Sequence, residues 1–454
     1  MKSHSTYIDK NNNERGFILL DVVIALSVAA IILSSLFIAV FQNDRFNDSI
    51  KARTKILSND PTLGTSYKTE NYDLLINTFP SDDPRYKAIT FSNYSSRNTD
   101  ARDSRSGLCS PDNVFDSVES ISEISLGGIN DEVTHVSMKG RYVIASRDDS
   151  LASASDLDFF SINPSGNLSL VSSLDTGPGI VGFDYGQSHL YALRAGTAYQ
   201  LQVIDISDPA HLSMPVQFRV LLPYATATPP LSRTISLSGK YLYIGTQKWD
   251  GPELIVVDIH DPLNPAQVGS YEVGSIVNSI LIKGTRAFVA AGGQFQFMEF
   301  NVSNPASPAL VGSLEFPGWQ TQEGKSLALD GDNLIFGRSV GGFNNIHNHE
   351  LFVIDTDTLW SSATTPIVAS FDVGRSIYGI AVGSGTIMTI ESGVGQRPYR
   401  YSIENLEDGP IAVTNTTGTT TLSGTLTSIW CDDVSAYVST KSPPKIYKFN
   451  FNMK

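Results

Sequence analysis

The sequence predicts an all-β chain: a seven-bladed β-propeller preceded by a long N-terminal α-helix. Three observations predict it. Beyond residue 57 the apolar runs are short and punctuated by glycine (36 in the chain) and proline (22), as expected for many short strands joined by tight turns. One pattern, an apolar strand, an Asx-containing turn and a second apolar strand, recurs every 43 to 54 residues, the period of a propeller blade. Ahead of the repeats, Phe17 to Phe41 is apolar for 25 residues with a single charge, Asp21.

In chain order, the first element is that apolar run. As a helix it spans ~37 Å at 1.5 Å per residue, enough to cross a bilayer. Lys2, Lys10 and Arg15 precede it and favour a cytoplasmic N-terminus. No small-residue cleavage site follows Phe41, so it does not read as a cleavable secretory signal. Phe46, Ile50 and Leu57 continue an apolar stripe, interrupted by Arg53, and Asn59-Asp60-Pro61 stops the helix. Residues 58–112 are rich in Ser, Asn, Asp and Thr and read as a polar linker, partly disordered near 92–107, with apolar patches at "YDLLINTF" and "YKAITF".

From 113 to 454 the chain repeats. "LQVIDISDPAHLSMPV", "LIVVDIHDPLNPAQVGSYEVG", "FMEFNVSNPASPALVGSLEF" and "LFVIDTDTLWSSATTPIVASFDVG" place Asp205, Asp258, Asn301 and Asp355 at one equivalent position. Weaker copies put Ser161, Ser402 and Phe449 there, so motif strands fall around 161, 205, 258, 301, 355, 402 and 449. A strand–glycine turn–strand pair precedes the motif, as in "RTISLSGKYLYIGTQ", "NSILIKGTRAFVAAG" and "KSLALDGDNLIFGRS", giving four strands per blade. The last motif ends at the C-terminus without its outer strand, and "SVESISEISLGG" has the form of that missing strand. Residues 117–126 are therefore expected to pair with the C-terminal strand and close the ring.

Two resemblances follow from these residues. "VIDISDP" and "VVDIHDP…VGSY" resemble the LVIVD-repeat propellers over roughly 113–454; Asp205 to Pro209 meets the family's "DISDP" fully, and "DTDTL" at 355–359 departs from it. Arg15-Gly16-Phe17, with Asp21 four residues after Phe17, resembles a type IV prepilin N-terminus. That resemblance implies a leader at 1–16 cut after Gly16 by prepilin peptidase, and methylation of the new N-terminal Phe17. It further implies a pilin-like helix over 17–57 in which Asp21 meets the amine of a neighbouring subunit, the partner an acid inside a membrane segment requires. The family usually has Glu at that place and Thr where this chain has Ile18. An uncleaved signal anchor is the alternative for the same residues.

The formal charge is −14, from 46 acidic and 32 basic residues, with no cationic cluster, which excludes nucleic acid as a partner. The aspartates of the repeat read as turn initiators rather than calcium ligands, since no copy offers a run of spaced oxygen ligands. Cys109 and Cys431 lack zinc or redox spacing and read as buried thiols or as one long-range disulfide clamping the ring closure. Among the loops joining second to third strands, only "NNIHNHE" looks chemical: His347 and His349 are weak metal candidates beside Glu350, against the plainer reading of a solvated loop. Trp249, Phe343 and Tyr399 are loop aromatics suited either to an interface or to packing on their own loops. No catalytic constellation and no cofactor motif is visible, neither a nucleophile elbow, a Walker loop nor an H-E-x-x-H.

The expected function is a minor or tip subunit of pilin or pseudopilin type. It would stand in a bacterial inner membrane with its propeller on the periplasmic or extracellular side, pilus-associated, binding a surface or protein ligand. Its partners would be prepilin peptidase, pilin or pseudopilin subunits, and the membrane. A membrane-tethered propeller hydrolase that uses the prepilin signal only for export is the competing class, and a passive envelope anchor is a third.

Overall fold

The computed structural model describes residues 118–126, 132–148, 155–163, 166–177, 179–194, 200–218, 231–316, 322–340, 349–360, 366–383, 386–392, 397–403, 406, 409, 411–412, 422–431 and 435–451, with the backbone of three further strands between 64 and 94. The helix expected over 17–57 lies outside them. The chain divides into two units, Met1–Arg97 and Asn98–Lys454.

In the first unit, Gly64–Thr69, Tyr72–Asn77 and Phe91–Tyr94 form one antiparallel sheet, with Tyr72–Asn77 in the middle. This stretch lies within the expected polar linker. Its apolar patch "YDLLIN" is the central strand, so part of the connector has regular structure.

The described part of the second unit is all-β, without α-helix. Five four-stranded antiparallel sheets run in simple meanders over 182–218, 232–271, 277–314, 324–371 and 377–412. A sixth sheet has eight strands. It joins the meander 132–174 to the strands 425–451 through a single pairing, Lys441 with Glu132. The first strand of each meander lies against the first strand of the next, and Thr425–Cys431 lies against Glu132–Lys139, so the arrangement curls round and closes on itself like a β-propeller. Every motif strand expected around 161, 205, 258, 301, 355, 402 and 449 is present, each third in its meander.

Short local rules set each meander. The first hairpins turn on Gly140, Gly239, Gly284 and Gly331, all at φ between 56° and 62°, where a side chain would be strained. The central strands are covered on both faces by neighbouring sheets and so read as unbroken apolar runs, such as Leu254–Asp258 and Arg286–Ala291. At the end of the third strand, Asp205, Asp258, Asn301 and Asp355 each accept the backbone N–H two residues on, at 2.7–2.9 Å. These are Asx turns, as the sequence predicts. In three repeats a second follows at Asp208, Asp261 and Asn304.

The turns also make the contact between sheets. A Cβ on Gly269, in an outer strand, would stand 2.1 Å from the carbonyl oxygen of Pro305 in the next repeat. At the equivalent Gly312 it would meet the ring of Trp360 at 2.6 Å; that ring also donates to Glu299 at 2.7 Å. Ser172 holds the same place in the meander 132–174 and donates to the Pro209 oxygen of the next. The Asx-Pro turn thus seats on a small residue of the preceding outer strand, which accounts for "VGS" and "DP" recurring together.

The closing strand forms as expected. Val118–Ser125 pairs antiparallel with Lys445–Phe451, from Ser125 opposite Lys445 to Val118 opposite Phe451. Ile121 packs on the cluster of Met388, Ile429, Val438 and Phe449.

The close approach at Gly269 sets a stability test. Gly269→Ala should destabilise the chain by about 1–3 kcal/mol, because the added methyl meets backbone that cannot rotate away. Val268→Ala, at the neighbouring exposed position, should stay within about 0.5 kcal/mol. Urea unfolding of the two variants checks this, and equal midpoints would remove the seating role.

Candidate functional site

Antiparallel meanders bring the loops joining second to third strands, and the connections entering first strands, to the same face. On that face each first strand of six meanders carries a β-bulge. The register slips at Thr134, Arg233, Asn278, Lys325, Tyr378 and Thr427. A bulge re-aims one side chain out of the alternating pattern, and these six turn at one level of the ring.

Their side chains fall into two kinds. Thr134 donates to the Ile180 carbonyl at 2.6 Å, Asn278 to the Gly324 carbonyl at 2.8 Å, and Thr427 to the Val133 carbonyl. Each of these bonds bridges to the next first strand or, for Ile180, to the segment that enters it, and fastens the inner ring. Arg233, Lys325 and Tyr378 are longer and reach elsewhere. Gln247, with its amide oxygen turned inward, accepts from Arg233 at 2.6 and 3.1 Å. Lys325 pairs with Glu323 at 2.5 Å, and Asn278 also donates to Glu323 at 3.3 Å. Tyr378 is 47% exposed. Burial pushes the Glu323 carboxyl up, but Lys325, Asn278 and the charge of Arg233 outweigh it and hold the group below the usual range.

Behind the loops lies a second repeated position. The residue before the third strand is Asp156, Gln200, Glu253, Gln296 and Glu350 in five meanders, each essentially fully buried. Asp156 accepts from the Thr176 backbone at 2.8 Å, Glu253 from Val273 and Gly274 at 2.9 Å, and Glu350 from Val373 and Gly374 at 2.9 and 3.0 Å. Gln296 reaches the carbonyl of Gln322 instead, at 2.9 Å. These side chains latch the third strand to the segment that enters the next meander, so buried backbone donors find partners.

Glu350 sits in the loop region that looks chemical in the sequence. Its neighbour His349 is half-buried with Nδ1 2.6 Å from the Ser370 hydroxyl, and its carbonyl accepts from Arg338 at 2.6 Å. His349 is therefore fixed to its own sheet rather than held in a solvated loop. His347 lies outside the described residues, and among the described residues no group of three or more metal-ligating side chains occurs. Burial lowers the Arg338 guanidinium to about 10 and raises the Glu350 carboxyl to about 7; at Glu350 the backbone bonds and Arg338 oppose the rise and Asp372 adds to it. In the adjacent sheet the Glu391 carboxylate takes Arg375 at 2.7 Å, Thr389 at 2.7 Å and Tyr401 at 2.5 Å, and is filled by its own neighbours.

Of the other residues singled out from sequence, Gly16, Phe17, Asp21, Cys109 and Phe343 lie outside the described residues. Cys431 ends a first strand and is fully buried. Trp249 folds back on its own loop, its Nε1 donating to Pro252 at 3.1 Å. Tyr399 lies beneath Arg375 at 4.7 Å. Among the described residues no helix is long and apolar enough to cross a membrane. The bulged residues were missed in the sequence, although Thr134, Arg233, Asn278 and Lys325 each stand six residues before a hairpin glycine.

The latch gives a pH test. The Glu350 carboxyl is raised from the usual 4.5 to about 7, so as pH climbs the unfolded chain releases this proton first. The group's contribution is complete below about pH 4.5 and is lost as pH rises through about 7. Glu350→Gln installs the amide already resident at 200 and 296 and should flatten that fall. Urea midpoints of both proteins at pH 5 and pH 8 measure it; an identical slope in the variant would rule out Glu350 as its source.

Comparison with known proteins bears on the fold. A family model, the LVIVD repeat, matches residues 192–219, 231–273 and 274–315. No curated protein matches the chain. Among solved structures, virginiamycin B lyase from Staphylococcus aureus is 12% identical with a TM-score of 0.51, covering 73% of this chain and 99% of its own. A chain of a mitotic checkpoint complex is also 12% identical, with a TM-score of 0.52 and coverage of 75% and 97%. The extracellular domain of a one-component system from B. thetaiotaomicron is 14% identical with a TM-score of 0.50, covering 74% of this chain and 40% of its own. At such identities the likeness concerns fold alone. The family match is narrower than the 113–454 expected from the motifs, though the flanking copies build the same meanders. The chain carries LVIVD repeats at 192–315 within a β-propeller-like fold.

Proposed function

We propose that the chain is a pilin-like or pseudopilin-like membrane subunit that presents a seven-bladed propeller for binding outside the cytoplasm. The blade reading takes each meander as one blade and the strands 425–451 with 118–125 as the last. A ring closed in this way is a stiff platform that carries bulged and loop-borne side chains on one face for recognition of a partner.

The observation that carries the export half of the reading is the N-terminal pattern, in which Gly16, Phe17 and Asp21 stand at the offsets of a prepilin. A disulfide between Cys109 and Cys431 would agree with it, since structural disulfides persist in oxidising compartments and are rare in reducing cytosol. A propeller head is bulky beside a filament shaft, which favours a minor or tip position over a place in every turn.

The mature N-terminus tests this. In cells with prepilin peptidase, mass spectrometry should find the chain beginning at methylated Phe17; without the peptidase it should retain residues 1–16. A chain still starting at Met1 in peptidase-positive cells would sink the proposal. Asp21→Ala should leave cleavage intact and reduce incorporation into the assembly at least tenfold, as read from the sheared filament fraction.

A further inference from the structure

Glu323 is the centre of a small, mixed arrangement on the loop-bearing face. Side chains of two successive first strands reach its carboxylate, Asn278 from Val277–Lys283 and Lys325 from Gly324–Asp330, and the charge of Arg233, on the preceding first strand Ser232–Ser238 and held by Gln247, acts on it. All three are bulged residues, turned out of their strands at the same level. The Glu323 backbone is fixed independently of its side chain: its N–H donates to the Ser339 hydroxyl at 2.8 Å, and its carbonyl accepts the Ser339 N–H at 2.9 Å. The carboxylate itself remains 40% exposed. On the same face the exposed Val340 follows Ser339 and donates its N–H to the Ser376 hydroxyl at 3.0 Å, and Ser376 stands two residues before the exposed Tyr378.

We infer that this cluster is a docking site for an acidic peptide segment of a partner protein, with Arg233, Asn278 and Lys325 forming a carboxylate seat that the chain's own Glu323 occupies. The seat displays its ligand chemistry directly, because a carboxylate already sits in it. Two cations and one amide donor from three strands stand by one acid, on a chain of net charge −14. An acidic segment is repelled by most of such a surface and accepted here. Exposed Val340 and Tyr378 supply the apolar contact that an isolated ion pair lacks. An incoming carboxylate displaces Glu323 into solvent, so Glu323 competes with the partner and sets a threshold for binding.

This inference rests on the proposed role as a presenting propeller, but it is measured on the purified full-length chain, whatever its N-terminal processing. The probe is a dye-labelled, capped hexapeptide alternating glutamate and phenylalanine, with its glutamine–phenylalanine twin as control, followed by fluorescence polarisation. The acidic peptide should bind at least tenfold more tightly than the twin, and the difference should shrink as salt is raised. Arg233→Gln and Lys325→Gln should each weaken it severalfold. Glu323→Gln, which retains the backbone bonds and removes the competitor, should tighten it severalfold. Equal binding of the two peptides, or an unchanged or weaker affinity in Glu323→Gln, would overturn the inference. Because that variant is expected to gain affinity, misfolding cannot imitate the supporting result.

Discussion

Everything in the repeat region depends on covering the first strand of each meander. A four-stranded antiparallel sheet has two open edges and two apolar faces, and alone it is only marginally stable. Here each face is covered by the next sheet, and the first strands lean on one another until the last meets the first. That last contact is the most exposed to failure, because the ends of the chain must find each other over more than three hundred residues. Val118–Ser125 solves it by taking the outer place beside Lys445–Phe451. The closure joins the beginning and end of the repeat region by a ladder of backbone bonds, supported by Lys445 with Glu123 at 2.9 Å. Thr427 adds a bond at the inner edge, to the Val133 carbonyl, so the seam is fastened at both radii.

Outer strands pose the opposite problem, since their free edges invite pairing with other chains. Val171, Val268, Val311 and Val368 stand at bulges in four of them and are exposed by 36% to 60%. The bulge breaks the regular row of donors and acceptors and twists the edge away. Next to the bulge comes the small residue that receives the following Asx-Pro turn. One local motif therefore both blunts an edge and locks adjacent sheets, which explains why a small residue follows the bulged valine in each of the four, as "VSS", "VGS" twice and "VAS".

Much of this was legible in the sequence because it rests on periodic and local signals. The third-strand motif, the hairpin glycines and the Asx turns are set within a few residues, so every motif strand fell where its spacing put it. The closing strand was legible too, since a missing outer strand and an unassigned strand of the same form had to match. The candidate site was far less so. Arg233, Asn278, Lys325 and Tyr378 matter because a bulge re-aims them, and a bulge leaves no composition signature in a single sequence. The buried latch at Glu253 and Glu350 was hidden for a related reason: its backbone partners lie 20 to 24 residues away. His349 shows the converse, since a chemical-looking histidine is spent on Ser370 of its own sheet. The strand Tyr72–Asn77 in the expected linker has only one short apolar patch to announce it.

The bulged level also shows how a symmetric scaffold acquires a specific surface. Where the bulged residue is threonine, or asparagine at 278, its short side chain reaches the next first strand or the segment entering it and serves the ring. Where it is arginine, lysine or tyrosine, the chain is too long to stop at that carbonyl and extends to the face. The backbone needs the bulge in either case, so the identity of the residue can change with little cost to closure. Asn278 does both, bonding Gly324 and touching Glu323, and it marks where structural bonds give way to recognition. The arc containing Arg233, Asn278, Lys325 and Tyr378 is thus the side of the ring where function can vary, while Thr427 and Thr134 hold the seam that lets it do so.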